Sequence, residues 1–314
     1  MVIYMNFNEY SEEKLSRFKE IQLNISDKKY EQAIDFIENT GDNDPLFIMA
    51  EAQCYMRLGK IEKAKILYNK AINVCDKLLS EKTDTFILNI KGNCNLMLKK
   101  YIDSIECYNK ILRLENDNAI ALCFKSVALL RLNEIEAAYE CLSSLLEIET
   151  DNYDIMLFKA HYLNEIGRYD ESLKLTDEIL KVVNHPQAYL LKADSFFEKG
   201  KIEDALININ KSLEFDSNNS YSWYLKAEIE MDGGNYKQAL DDFKNALSIN
   251  DKEDCYWFDM GSCYLNLTDY EKAFESYEKA FELNPHSGGV MDSKTFLNFI
   301  KNIGVIGKNL NFYE

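Results

Sequence analysis

Apolar residues along this chain return at i, i+4 and i+7, and the stripe breaks off and restarts at a regular stride. Between Asp254 and Pro285 one stripe is Trp257, Gly261 and Tyr264 and a second is Ala273, Tyr277 and Ala280. Each traces one face of an α-helix at 3.6 residues per turn. The segment therefore predicts two amphipathic helices, A and B, joined by a short turn. With Asp254 as position 1, the stripes fall at positions 4, 8 and 11 and at 20, 24 and 27. Stepping back 34 residues at a time, the same positions hold Trp223, Ala227, Ala239, Phe243 and Ala246, then Tyr189, Ala193, Phe196, Ala205 and Ile209. Earlier units supply Met156, Ala160 and Leu163; Leu122, Ser126, Leu129 and Ala138; Leu88, Gly92, Ser104 and Tyr108; and Ile48, Ala52, Tyr55, Ala64, Tyr68 and Ala71. A degenerate unit keeps Ala33 and Ile37.

The spacing has a packing logic. Small residues at positions 8 and 20 let helices A and B approach closely, and large ones at 4, 11 and 24 fill the space beside them. Position 15, the A–B turn, is Gly59, Gly167, Gly200, Gly234 or Asn133, residues tolerant of a left-handed backbone. Asn116-Asp117-Asn118, Asp151-Asn152 and Ser217-Asn218-Asn219 lie between units and read as turn formers and helix N-caps. A lone hairpin cannot bury its apolar face, so such units stack.

The segment from Asp254 to Pro285 resembles the tetratricopeptide pattern W-x2-L-G-x2-Y, A-x3-F, P, with Met260 standing where the pattern has Leu. The resemblance implies an all-α solenoid, a right-handed superhelix of helix-turn-helix hairpins. The register gives about eight hairpins over residues 1–285, at 14–40 (degenerate), 45–84, 85–118, 119–152, 153–185, 186–219, 220–253 and 254–285. The unit at 45–84 carries a six-residue expansion around Leu78 to Asp84. After Pro285 the signature stops. Residues 286–314 read as a capping helix and tail, Met291 to Ile303, with Phe296, Ile300 and Ile303 on one face and Gly304 and Gly307 ending it; self-association is the alternative role.

Composition narrows the function classes. With 3 Pro and 12 Gly in 314 residues and 46% hydrophobic residues, the chain is a folded helical protein. The formal charge of −17 predicts repulsion of phosphate backbones and hence no nucleic-acid partner. No segment is long and apolar enough for a bilayer span, and the first eleven residues do not read as a signal peptide, so the expectation is a cytoplasmic protein without a membrane partner. Met5 is an alternative start. The eight cysteines form no CxxC pair and the three histidines are scattered, which predicts neither a metal site nor disulfides. Cys54, Cys94 and Cys263 share position 10 of helix A, a structural slot. Lys91, Lys125, Lys159, Lys192 and Lys226 share position 7, read either as stems packed at the helix interface or as a binding ladder.

No GxGxxG turn, GxxxxGK loop, HExxH or GxSxG elbow is present, so the reading is a non-enzyme without cofactors. The family resemblance implies a concave groove lined by positions 2, 5, 9, 12 and 13 of the A helices. By register alone the candidate partner-binding residues are Met49, Gln53, Arg57, Phe86, Asn89, Asn93, Arg131, Asp154, His161, Asp194, Tyr221, Tyr224, Glu228, Asp232 and Phe258. The earlier units offer a mostly apolar wall. The later ones alternate carboxylates with aromatics, which suits a basic segment with apolar anchors. Asn89 and Asn93 occupy the amide places of a carboxylate clamp known in the family, but its basic partners are missing nearby. The expected function is an adaptor, scaffold or co-chaperone-like module holding a protein or peptide in the groove. A structural subunit self-assembling through its ends, or a regulatory subunit, is the alternative. Oligomeric state is left open.

Overall fold

The computed structural model describes residues 11–290 and 292–310, with side chains described as far as residue 302. Among the described residues there are seventeen α-helices and no strands. The chain divides into two compact units, residues 1–159 and 160–314.

The first unit holds α1 (Glu12–Ser26), α2 (Tyr30–Thr40), α3 (Pro45–Arg57), α4 (Ile61–Glu81), α5 (Thr85–Met97), α6 (Tyr101–Leu114), α7 (Ala119–Arg131), α8 (Ile135–Leu146) and the opening turns of α9 (Tyr153–Glu165). The second holds the remainder of α9, then α10 (Tyr169–Val182), α11 (Pro186–Glu198), α12 (Ile202–Phe215), α13 (Ser220–Asp232), α14 (Tyr236–Ile249), α15 (Asp254–Asn266), α16 (Tyr270–Leu283) and α17 (Ser293–Leu310). Consecutive helices pack as hairpin pairs, α1 with α2, α3 with α4, α5 with α6 and α7 with α8 in the first unit and α11 with α12, α13 with α14 and α15 with α16 in the second, and α2, α4, α6, α10, α12 and α14 also pack on the A helix that follows. The A helices touch in sequence, α1 on α3 on α5 on α7 in one unit and α11 on α13 on α15 in the other. This is the stacking that solenoid repeats require.

The small positions behave as the spacing demands. Ala52, Ala64, Ala138, Ala160, Ala193, Ala205, Ala227, Ala239 and Ala273 are fully buried. Where helix A carries glycine, an aromatic ring of helix B takes the room. A Cβ on Gly92 would lie 2.8 Å from the Tyr108 ring, and one on Gly261 would lie 3.0 Å from Tyr277. Cys54, Cys94 and Cys263 are buried, and burial pushes the thiols of Cys54 and Cys263 up to about 11 and 12. At these sites cysteine is a small apolar residue.

Helix ends are specified locally. Asp44, Asp84, Asn118, Asn152 and Asn219 accept hydrogen bonds from the first backbone N–H groups of α3, α5, α7, α9 and α13. The A–B turns close through one left-handed residue: Gly59, Asn133, Gly167, Gly200 and Gly234 as expected, and also Lys28, Lys99 and Thr268 near φ 61°. The expansion after residue 78 extends α4 to 21 residues.

At the C-terminal end the expected helix is present but its limit moves. α17 runs through Gly304 and Gly307 to Leu310, because glycine costs a helix interior about 1 kcal/mol without breaking it. Asp292 caps its start by accepting from Thr295 N. Met1, Met5 and Met291 and the side chain of Ile303 lie outside the described residues.

Candidate functional site

The densest polar chemistry lies on the A helices of the second unit. At position 9 of α11, the half-buried Asp194 accepts a hydrogen bond from Asn164 Nδ2 of α9 at 2.8 Å. Asn164 also donates to Leu191 O and accepts from Ser195 Oγ, so its amide is fixed and holds the Asp194 carboxylate in one orientation. At the same position of α13 stands the half-buried Glu228, one helical turn from Tyr224. The Tyr224 hydroxyl donates to Asp259 Oδ2 of α15 at 2.9 Å, and its ring stacks on Tyr256 at 4.6 Å and meets Tyr221 at 6.0 Å. His161, at position 9 of α9, is exposed, as are Glu198 and Asp232 at position 13 of α11 and α13.

These acids are shaped by desolvation. Burial raises Asp194 and Asp259 above the usual carboxylate range, opposed by the hydrogen bonds from Asn164 and Tyr224. Glu228 is pushed up to about 7, first by burial and then by the negative charge of Asp259, Asp194 and Glu198, with the Tyr224 hydroxyl pulling the other way. None of the three makes an ion pair with a lysine or arginine among the described residues. Burial with Asp194 and Glu228 nearby raises the Tyr221 hydroxyl, and burial with Asp259 raises that of Tyr224, so both tyrosines stay neutral donors. Burial pushes the neighbouring Cys255 thiol up to about 11, which keeps it protonated and weakly nucleophilic at neutral pH. The face combines fixed acceptors with aromatic surface. Chemistry of this kind can meet a cation that carries its own apolar stem.

The other register-based positions fare differently. Gln53 and Phe86 are half-buried and Arg57 and Arg131 exposed in the first unit, and Asp154 is half-buried in the first turn of α9. Met49, Asn89 and Asn93 were expected on an open inner wall but are buried, because α3 is packed between α1 and α5, and α5 between α3 and α7. Phe258 is half-buried, its ring largely covered by other aromatic rings. It meets Tyr277 edge-on at 5.0 Å and stacks on Phe296 of α17 at 6.1 Å, and the glycine turn at Gly288 closes over its ring. Asp259 and Tyr256 are the residues the register missed. They stand at positions 6 and 3, outside the implied groove set, and reach back to the preceding repeat.

The lysines at position 7 resolve in favour of interface stems. Lys91 pairs with Asp76 at 2.5 Å, Lys192 with Asp177, and Lys226 with the buried Asp242 at 3.5 Å. Lys159 is buried and donates to the Ile148 carbonyl just past the C-terminal end of α8, where the helix dipole favours a cation.

The repeats also match known proteins. Tetratricopeptide-repeat patterns match residues 48–77, 186–219, 220–253 and 255–287. No curated protein matches the sequence. Among solved structures, a tetratricopeptide repeat protein from Parabacteroides merdae is 14% identical with a TM-score of 0.56, over 83% of this chain and 98% of that one. Human IFIT1, solved as a dimer with PPP-AAAA, is 17% identical with a TM-score of 0.58, over 86% of this chain and 67% of that one. PilW, a type IV pilus biogenesis factor, is 18% identical with a TM-score of 0.58, over 65% of this chain and 96% of that one. At these identities the likeness is one of fold. It nevertheless corrects one expectation. The exclusion of nucleic acid from net charge does not stand, since a protein of this fold has been solved with PPP-AAAA and with m7Gppp-AAAA. Net charge sums over a whole surface and does not fix the potential of one face.

Proposed function

We propose that this chain, a tetratricopeptide-repeat protein, serves as a protein-interaction or scaffold module, and that the A-helix face of its second unit receives a partner segment carrying lysine or arginine beside an apolar anchor. It works by binding and not by catalysis. One observation carries the reading: Asp194, Glu228 and Asp259 are desolvated carboxylates held in place by Asn164 and Tyr224, with no basic side chain paired to them. Burying acids in that way costs stability unless a counter-charge arrives. An arriving ammonium or guanidinium would supply it, and the Tyr221 and Tyr224 rings would cover the stem.

A peptide-display selection on the full chain tests this. Enriched sequences should carry Lys or Arg next to aliphatic or aromatic residues. Reversal of charge at Asp194, Glu228 and Asp232 should weaken the selected peptide at least tenfold while the helical circular-dichroism signal is kept. Enrichment without basic residues, or binding indifferent to the reversals, would overturn the reading.

A further inference from the structure

The second charged feature lies in the first unit and has the opposite sign. Residues 57–100 hold ten Lys and Arg against four Asp and Glu, in a chain whose net charge is −17. The excess gathers at the A–B turns. The two residues that close the turn are Lys28-Lys29 in the first hairpin, Gly59-Lys60 in the second and Lys99-Lys100 in the third, and the run ends at Asn133-Glu134. Because α1, α3, α5 and α7 stack in order, these turns follow one another along one edge of the unit.

One observation marks this edge as more than a solvated surface: it is apolar between its cations. Ile61 is 50% exposed, Ile66 69% and Ile102 65%. Gly59, Lys60, Ile61, Glu62, Lys63 and Lys65 line an open depression at the start of α4, with Lys65 paired to Glu62 at 2.7 Å. Lys100 Nζ donates to Asn69 Oδ1 at 3.1 Å, which ties the start of α6 to the exposed side of α4; Ile66 lies three residues before Asn69 on that side. Lys60 and Lys99 make no ion pair among the described residues, whereas Lys63 already donates to the Tyr55 hydroxyl and lies 3.6 Å from Glu38.

We infer that the turn edge formed by Lys60, Lys63, Lys99 and Lys100 with Ile61 and Ile102 is a docking surface for an acidic, amphipathic peptide segment. Alternating cations and isoleucines match a strand or helix that presents carboxylates beside leucine-like side chains. A bare phosphate backbone would leave the isoleucines unmatched. This surface is separate from the acidic face of the second unit and takes a partner of opposite charge.

Fluorescence anisotropy on the full chain tests it with a labelled 16-residue peptide of alternating Glu and Leu, its Gln-for-Glu counterpart, and a labelled 12-nucleotide oligoadenylate. The Glu peptide should bind at low salt and weaken as NaCl rises, and the Gln peptide should bind at least tenfold more weakly. The substitutions Lys60→Gln, Lys99→Gly and Lys100→Gln together should weaken the Glu peptide at least tenfold. Lys99→Gly alone should weaken it about threefold while raising the melting temperature, since it relieves the left-handed turn. The triple lysine variant should bind the basic peptides of the selection above with unchanged affinity, which separates the inference from the function proposed there. Binding that ignores the lysine substitutions, equal binding of the Gln peptide, or binding of the oligoadenylate with none of the Glu peptide would overturn it.

Discussion

Glu228 concentrates the energetic tension of the acidic face in one side chain. Its folded-state value near 7 lies above the ordinary 4.5, so between those values the native state holds a proton that the unfolded chain has already released. Stability therefore falls as pH rises through that window, and the loss is complete above about 7. The groups that set the value are Tyr224 on the same helix, Asp259 on α15, and Asp194 and Glu198 on α11. Glu228→Gln removes the titration and keeps the shape. It should raise stability at pH 8 by on the order of 1 kcal/mol, less than full linkage implies because the group retains solvent contact, and leave pH 5 nearly unchanged. Urea unfolding at both pH values checks this; a stability gain equal at the two would mean that the carboxylate is not the cause. The same titration works in the other direction on binding: a basic segment meets a charged Glu228 only above about pH 7, so affinity should rise between pH 6 and 8.

At the scale of elements, α17 acts as the missing next helix. Its Phe296 enters an aromatic cluster with Phe258, Tyr277 and Phe281, at ring separations of 6.1, 4.9 and 5.8 Å, and Ile300 is fully buried beside them. Phe296→Ala should cost about 2 kcal/mol, reduced from the value for a fully buried ring. Phe299→Ala, on the outer face of the same helix and 57% exposed, should change stability by less than about 0.5 kcal/mol. Equal effects of the two in denaturant unfolding would show that α17 does not cap the last hairpin. The helices themselves were legible in the sequence, because stripes at positions 4, 8, 11 and 20, 24, 27 can satisfy only helical periodicity, and Gly92 and Gly261 mark where Tyr108 and Tyr277 press in. The turns were partly legible. Glycine and asparagine announce a left-handed residue, whereas Lys28, Lys99 and Thr268 adopt it because flanking helices impose it. The acidic face was legible as Asp194, Tyr224 and Glu228 by register. Asp259 was not, since its role depends on reaching Tyr224 in the preceding repeat. Nor was the cover over Phe258, which comes from a segment outside the repeat.

Across the molecule, charge is neither uniform nor balanced. Residues 1–159 carry 20 Lys and Arg against 26 Asp and Glu, a net of −6, and residues 160–314 carry 16 against 27, a net of −11. The first unit gathers lysines at its A–B turns within a negative total, so the sum does not give the potential of any one face. The second carries Asp194, Glu228 and Asp259 on its A helices on top of a general excess. Its ion pairs are mostly between exposed side chains, such as Arg168 with Glu171, Lys244 with Asp241 and Lys279 with Glu282, and exposed pairs contribute little. Self-repulsion therefore outweighs local pairing. Raising NaCl from about 10 mM to about 150 mM shortens the screening length from about 30 Å to about 8 Å and weakens repulsion between acids on neighbouring helices more than it weakens pairs in contact. The melting temperature should rise over that range, and amide exchange should slow more in α11–α16 than in α3–α8, because the second unit carries the larger excess. A melting temperature that falls with salt would mean that surface ion pairs, and not the excess of carboxylates, dominate the electrostatics of the fold.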